Sequence, residues 1–339
     1  MSETVLVTGI SGFVGGHVAL QLLNKGYRVR GSLRSLNRAD KVRKTLENAG
    51  ADISNLEFVA LDLMKDEGWD EAMQGVSYLQ HVASPFVTVM PKDRNELVRP
   101  AVEGTTRALR AALNADVKRI VVTSSFAAIG YGWGGTKAHF TADDWTKLGQ
   151  EDVNAYIESK TRAEQAAWDL MREAGREADL ATINPGMIVG PLLDEDPGTS
   201  ASLVVDALKG RFPAVPNIAM VFIDVRDVAA MHVAAMENAD AGGKRHPATT
   251  GTYSLLEMGQ MIGRAVPERA SRMPKFTVPD WIIRIVAPFV PDIRSNIAEL
   301  GSHRTLDEKP LRDLIGRNAI PAAEAVGATA KSVMEQGLA

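Results

Sequence analysis

The sequence predicts an α/β chain, a doubly wound parallel sheet of the Rossmann type with a smaller, mostly helical C-terminal lobe. Three observations predict it. Short apolar runs alternate with helical patterns as far as Pro185. A glycine cluster joins the first run to the first helical pattern. After Pro185-Gly186 the pattern changes to turn-rich chain and then to further helices.

The first strand is Val5-Leu6-Val7, followed by Thr8-Gly9-Ile10-Ser11-Gly12-Phe13-Val14-Gly15 and a helix carrying Val18, Leu22 and Leu23 on one face. Gly26, after Lys25, stops that helix. Further strands are predicted at Tyr27 to Leu33, Leu56 to Leu61, Tyr78 to Val82, Arg119 to Thr123 and Leu180 to Ile183. A helix through Tyr156 and Lys160 closes at Gly175. Gly190-Pro191 and Asp196-Pro197-Gly198 mark turns, a helix follows, and another strand is expected at Met220 to Ile223. Ser254-Leu255-Leu256-Glu257 has capping-box form. Trp281 to Val290, interrupted by Arg284 and Pro288, is too short to span a bilayer and reads as a helix packed in the second lobe. Residues 1–186 are assigned to the nucleotide-binding domain, with 220–235 returning to it, and 187–219 with 236–339 to the substrate lobe.

The 339 residues carry a formal charge of -4, so no basic field favours nucleic acid or an anionic membrane. With no cysteine there is no disulfide, thiolate nucleophile or thiolate-bound metal, and the six histidines are scattered, so no metal is expected. The first residues lack the charged and apolar regions of an export signal. The expectation is a cytoplasmic monomer or homodimer acting on a small molecule.

Chemistry is suggested by two features taken together. A glycine turn opening a helix exposes unpaired N–H groups at the positive end of the macrodipole and lets a pyrophosphate approach. Tyr156 and Lys160, four residues apart, project from one helix face, where the ammonium can acidify the phenol. Alone, the glycine turn could be structural and the Tyr-Lys pair ordinary helix surface; in this order they are specific.

Other residues converge on the same reading. The second strand ends at Arg34, with Ser35 and Arg38 beside it, where a fold that prefers NAD places an acid on the ribose 2′-hydroxyl. A guanidinium there suits a 2′-phosphate, and hence NADPH, through a contact of about 1.5–3 kcal/mol; the alternative is a solvated loop cation. Asp62-Leu63 after the third strand suits adenine, or Asp62 caps a helix. Ser124-Ser125 ends the fifth strand at the carboxyl edge, where such sheets bind ligands. These hydroxyls could equally satisfy loop backbone; with Tyr156 and Lys160 downstream, Ser125 reads as a holder of the substrate oxygen.

Thr8 to Gly15, Arg34, Asp62-Leu63, His81-Val82-Ala83-Ser84-Pro85, Thr123-Ser124-Ser125, Tyr156 to Lys160, Asn184-Pro185-Gly186 and Val225-Arg226-Asp227-Val228-Ala229 together resemble the extended short-chain dehydrogenase/reductase family. More narrowly they resemble its branch of dihydroflavonol reductases, cinnamoyl-CoA reductases and yeast-type NADPH-dependent carbonyl reductases. The resemblance covers nearly the whole chain and is only general over the last eighty or so residues. It implies a catalytic triad of Ser125, Tyr156 and Lys160, the lysine also binding the nicotinamide ribose. It implies a pyrophosphate turn of Gly9, Gly12, Phe13, Val14 and Gly15, with Arg34 and Arg38 on the 2′-phosphate and Asp62 and Leu63 at adenine. Ala83 and Ser84 would lie along the ribose–nicotinamide path and Pro185 beside the nicotinamide. The asparagine of the proton relay in shorter relatives has no assignable counterpart here; Asn184, before proline, reads as a turn former.

The resemblance further implies hydride transfer to a carbonyl carbon, Tyr156 supplying the proton and Ser125 a hydrogen bond. A free tyrosine titrates near 10, and bringing it toward 7 takes about 4 kcal/mol of selective phenolate stabilisation, for which Lys160 and the oxidised nicotinamide are the expected sources. Pocket candidates are Phe86, Phe126, Ile129, Tyr131, Trp133, Met187 and Met220, which favour a hydrophobic ketone or aldehyde, although each could equally be core. Ala127-Ala128-Ile129-Gly130 stands where plant members carry a polar residue, which argues against a dihydroflavonol. Two alternatives stay open: a nucleotide-sugar epimerase or dehydratase on the same scaffold, and a non-catalytic NADP(H)-sensing regulator.

Overall fold

A computed structural model of the chain describes residues 3–85, 91, 93–196, 198–289 and 297–339. The first half alternates strand and helix: β1 (Thr4–Thr8), α1 (Phe13–Asn24), β2 (Arg28–Leu33), α2 (Ala39–Asn48), β3 (Leu56–Ala60), α3 (Trp69–Met73), β4 (Val76–His81), α4 (Asn95–Asn114) and β5 (Arg119–Thr123). After the two-residue β6 (His139–Phe140) come α5 (Ala155–Glu173), β7 (Leu180–Pro185), β8 (Met187–Val189), α6 (Gly198–Leu208), β9 (Val215–Pro216), β10 (Ala219–Asp224) and α7 (Val225–Glu237). The chain continues through β11 (Lys244–Ala248), β12 (Thr252–Ser254), α8 (Leu255–Ala265), β13 (Thr277–Val278), α9 (Asp280–Val286) and β14 (Thr305–Leu306), and ends in helices Lys309–Ile315 and Ala322–Glu335.

Seven strands form one sheet in the order β11-β7-β5-β4-β1-β2-β3, every neighbouring pair parallel. Parallel strands need helical crossovers, and these cover both faces. Alternation decides which face each residue meets. Val5 and Val7 join the core under α1 and α7, whereas Leu6, Leu79 and Val122 join the core under α4 and α5. The order reverses between β1 and β4, so their carboxyl ends flank a crevice, the binding position of open α/β sheets.

The C-terminal region adds a three-stranded sheet, β12-β10-β8, and a core of Phe222, Met258, Ile262, Ala325 and Val326. Ser254 caps α8 with the capping box predicted for it. The segment expected to return to the first domain divides. Helix α7 packs on the main sheet, its His232 bonded to Gln80 and Thr123, while β10 pairs with β8 and β12. Strand β11, absent from the expected strands, extends the main sheet beside β7. It reads Lys-Arg-His-Pro-Ala, and an edge position tolerates Pro247.

The helix expected at Trp281 to Val290 is α9, but it is not packed away. Trp281 is 64% exposed and Ile285 61%, because residues four apart fall on one face of α9 and that face meets solvent, and Phe289, on the 3-10 turn Ala287–Phe289 that follows, is 83% exposed. Val290 lies outside the described residues.

Candidate active site

The glycine turn is tight for a steric reason. Gly9 has φ +69°, a conformation that favours glycine, and its carbonyl accepts the Gly12 N–H at 2.9 Å. A Cβ on Gly15 would lie 2.2 Å from the Gly9 carbonyl oxygen, so α1 can approach β1 this closely only through glycine. Gly12 is the N-cap of α1, and no side chain caps the helix. Phe13 and Val14 form its first turn and are half-buried. This cradle of backbone amides, unobstructed by Cβ atoms, fits a dinucleotide pyrophosphate. Thr8 Oγ1 accepts the N–H groups of Val82 and Ala83, both at 3.1 Å, and thereby holds the Ala83-Ser84 segment against the turn.

Arg34 and Arg38 are exposed beyond the end of β2, and among the described residues neither guanidinium has a hydrogen-bond or ion-pair partner. Two unpaired cations beside the glycine turn suit a phosphate. Nearby, Lys41 bonds Glu195 at 2.8 Å and lies 3.8 Å from Asp194, so the acidic run after β8 reaches back to α2. Asp62 accepts the Met64 N–H at 2.9 Å in a local turn, and Leu63 is half-buried against Gly104 of α4.

Ser125, Tyr156 and Lys160 meet at the carboxyl edge of β5. Ser125 caps the short 3-10 turn Phe126–Ala128, its Oγ accepting the Ala127 N–H at 3.1 Å. Asn154 caps α5 through the Ile157 N–H at 3.0 Å, which places Tyr156 in the first turn and Lys160 in the second. Lys160 Nζ is 5.9 Å from the centre of the Tyr156 ring. Burial pushes the phenol up, and the Ser125 hydroxyl opposes this by drawing it down. Burial also lowers Lys160 to about 8, because a desolvated ammonium is disfavoured. In the protein alone desolvation is the largest influence on both groups.

His81, at the end of β4, is buried beside this lysine. Thr8 Oγ1 already accepts two N–H groups, so its own proton goes to His81 Nδ1 at 3.0 Å, leaving Nε2 as the protonated nitrogen. That Nε2 has no partner among the described residues. Burial first, and then the Lys160 charge, lower His81 to about 4, so it stays neutral.

The aromatic residues expected on the pocket wall divide. Phe126 and Ile129 are enclosed in a cluster with Phe140, Val221 and Leu306, and a Cβ on Gly130 would strike the Phe126 ring at 2.2 Å. They shape the site from behind instead of lining an open wall. Tyr131, Trp133, Met187 and Met220 are half-buried, Pro185 is buried, and Phe86 lies outside the described residues. A charged group packs on one of them. Arg304 sits 4.3 Å from the Tyr131 ring centre and bonds Asp152 at 3.1 Å and Glu299 at 2.7 Å. No local signal marks Arg304, since it meets Asp152 from 152 residues further along the chain. Asn184, expected to form a turn, is fully buried and bonded to Glu164 at 2.7 Å. Among the described residues no three metal-ligating side chains gather, and no helix is long and apolar enough to cross a membrane.

The model of the NAD dependent epimerase/dehydratase family matches residues 5–251. A cinnamoyl-CoA reductase from Medicago truncatula is 34% identical over 250 residues, 72% of this chain and 75% of that one. A tetraketide alpha-pyrone reductase from Arabidopsis thaliana is 35% identical over 256 residues, 72% and 77% of the two chains. Among solved structures, Gre2 from Candida albicans in complex with NADPH superposes with TM-score 0.79 at 28% identity, over 98% of this chain and 99% of that one. Yeast methylglyoxal/isovaleraldehyde reductase shares the fold, with TM-score 0.81 at 24% identity over 99% and 100% of the chains. With a family model spanning more than half its length and relatives above 30% identity, the chain belongs to the NAD dependent epimerase/dehydratase family, the extended short-chain dehydrogenases/reductases.

Proposed function

We propose that the protein is an NADPH-dependent reductase of hydrophobic ketones or aldehydes. The observation that carries this reading is the convergence of Ser125, Tyr156 and Lys160 at the sheet edge that also holds the glycine turn. The unpaired Arg34 and Arg38 support NADPH over NADH. Gly9, Gly12, Phe13, Val14 and Gly15 would hold the pyrophosphate, Asp62 and Leu63 the adenine, and Ala83, Ser84 and Pro185 the ribose–nicotinamide end. Relatives named as reductases, and the Candida albicans Gre2 solved with NADPH, favour the same chemistry.

When bound, the nicotinamide supplies hydride to the carbonyl carbon. The chain's own residues manage the oxygen. Tyr156, a phenol whose ordinary pKa of about 10 leaves it protonated at neutral pH, gives its proton to that oxygen. Ser125 donates a hydrogen bond to the same atom as charge grows there. Lys160 favours the phenolate left behind and would hold the ribose hydroxyls.

A nucleotide-sugar epimerase or dehydratase is the second reading, favoured by the family model itself. Phe126 and Ala127, both buried and neither acidic, follow Ser125, so no carboxylate stands there for elimination. Incubating the protein with NADPH and separate samples of methylglyoxal, isovaleraldehyde, an aromatic aldehyde and UDP-glucose, and following NADPH absorbance, tests the assignment. Loss is expected with aldehydes or ketones and not with UDP-glucose; no loss with any carbonyl would refute it.

A further inference from the structure

One turn beyond Lys160 on α5, Glu164 is buried completely and its carboxylate is saturated with donors. It accepts Arg245 Nε at 2.6 Å, Asn184 Nδ2 at 2.7 Å, Thr182 Oγ1 at 3.0 Å and Trp168 Nε1 at 3.3 Å, together with the hydroxyl of Ser124. The partner cation enters from β11. Arg245 stacks 3.8 Å from the Trp145 ring centre and donates to the carbonyls of Ala142, Asp144 and Ala128.

These contacts grip one short segment at both ends. At the start, Ser124 donates to Glu164, and Asn184 Nδ2 reaches the Ser125 carbonyl at 3.4 Å. At the end, Arg245 Nη2 reaches the Ala128 carbonyl at 3.3 Å. Thr146 and Thr161 bind the Ala127 carbonyl between them, at 2.7 and 3.3 Å. Ser125 is thus held through its backbone and its neighbours, while its own Oγ accepts the Ala127 N–H and meets the Tyr156 phenol. A buried ion pair is a poor source of stability, because well-packed apolar residues of similar volume serve as well or better. Its geometric effect is specific: charge-assisted bonds are short and directional, and they tie α5, which carries Tyr156 and Lys160, to the strand end that carries Ser125.

We propose that Glu164 and Arg245, acting through Ser124 and Asn184, are positioning residues that set the Ser125 hydroxyl relative to Tyr156, so that both meet one substrate oxygen. This rests on the reading of Ser125 as the donor to that oxygen. The consequence is a coupling: the network matters to turnover only while Ser125 has a hydroxyl to aim.

A double-mutant cycle tests it, with Ser124→Ala and Asn184→Ala each made in the natural chain and in a Ser125→Ala background. Reduction of isovaleraldehyde or methylglyoxal is measured as kcat and KM, with NADPH Kd from quenching of protein fluorescence as the control for folding. In the natural background each substitution should lower kcat by about tenfold, with NADPH Kd changed less than about twofold. In the Ser125→Ala background the further loss should shrink to less than about twofold, the non-additivity of residues that act as a unit. Equal losses in both backgrounds, or unchanged kcat in the natural one, would overturn the proposal. Should Asn184→Ala lose NADPH binding through misfolding, Ser124→Ala, which removes one oxygen, decides alone. The underlying reading fails separately: Ser125→Ala would then keep normal kcat by itself.

Discussion

Lys160 Nζ stands 5.9 Å from the centre of the Tyr156 ring, one helical turn along α5, and the two side chains are shifted in opposite senses by the same cause. Burial makes the phenol harder to ionise and the ammonium easier to lose. The protein alone therefore holds its acid ready, whereas its lysine is poised to titrate near the working range.

Tyr156→Phe removes the transferable proton and leaves the ring. Turnover of carbonyl reduction is expected to fall by about 10²–10⁴-fold with NADPH affinity nearly unchanged, as stopped-flow turnover and equilibrium titration would measure. Near-normal kcat would mean another group supplies the proton.

The lowered Lys160 pKa sets a pH window for cofactor binding. Its ammonium is present in the free protein below about 8 and is lost as pH rises through that value. NADPH, whose ribose hydroxyls would favour the charged form, should bind with proton uptake near that pH and weaken above it. Calorimetry in buffers of different ionisation enthalpy measures the uptake directly. Lys160→Met should abolish it, and a pH-independent affinity in the natural chain would contradict the assignment.

Arg34 is the expected discriminator between cofactors. Arg34→Asp should weaken NADPH by about 10–100-fold while changing NADH much less, since only the 2′-phosphate loses its partner. Equal kcat/KM for both cofactors in the unaltered chain would refute this role.

Gly15→Ala tests the cradle sterically. Its Cβ would meet the Gly9 carbonyl at 2.2 Å, so α1 must move away from β1. A cost of about 1–3 kcal/mol is expected, read as a lower Tm together with weaker NADPH binding. Gly12, where a Cβ would stand 3.3 Å from the same oxygen, should tolerate alanine better. Equal Tm values for the Gly15→Ala variant and the natural chain would show that the turn has slack.

What was legible in the sequence was local. The glycine turn follows from three glycines within one turn, Gly9 and Gly15 being the two whose missing Cβ the geometry requires, and the shared face of Tyr156 and Lys160 follows from helical spacing. Most strands of the main sheet were visible as short runs rich in apolar residues, except β11, where lysine, arginine and Pro247 mask an edge strand. What was not legible depends on contacts distant in sequence. Arg245 meets Glu164 across 81 residues, and Arg304 meets Asp152 across 152, so neither could be read from spacing. Phe126 and Ile129 have the composition of a pocket wall, yet packing against Phe140 and Leu306 encloses them. The apolar residues of α9 pointed to burial, and only the fold shows that their face meets solvent.

Carbonyl reduction by this chain would consume NADPH as a co-substrate. Its most direct test is the stoichiometry of a complete reaction, NADPH lost against alcohol formed from isovaleraldehyde or methylglyoxal, on protein whose bound nucleotide has first been extracted and identified. The account predicts protein isolated largely free of nucleotide and one NADPH consumed per alcohol produced. Tightly bound NAD, with UDP-sugars interconverted and no net NADPH consumption, would contradict it.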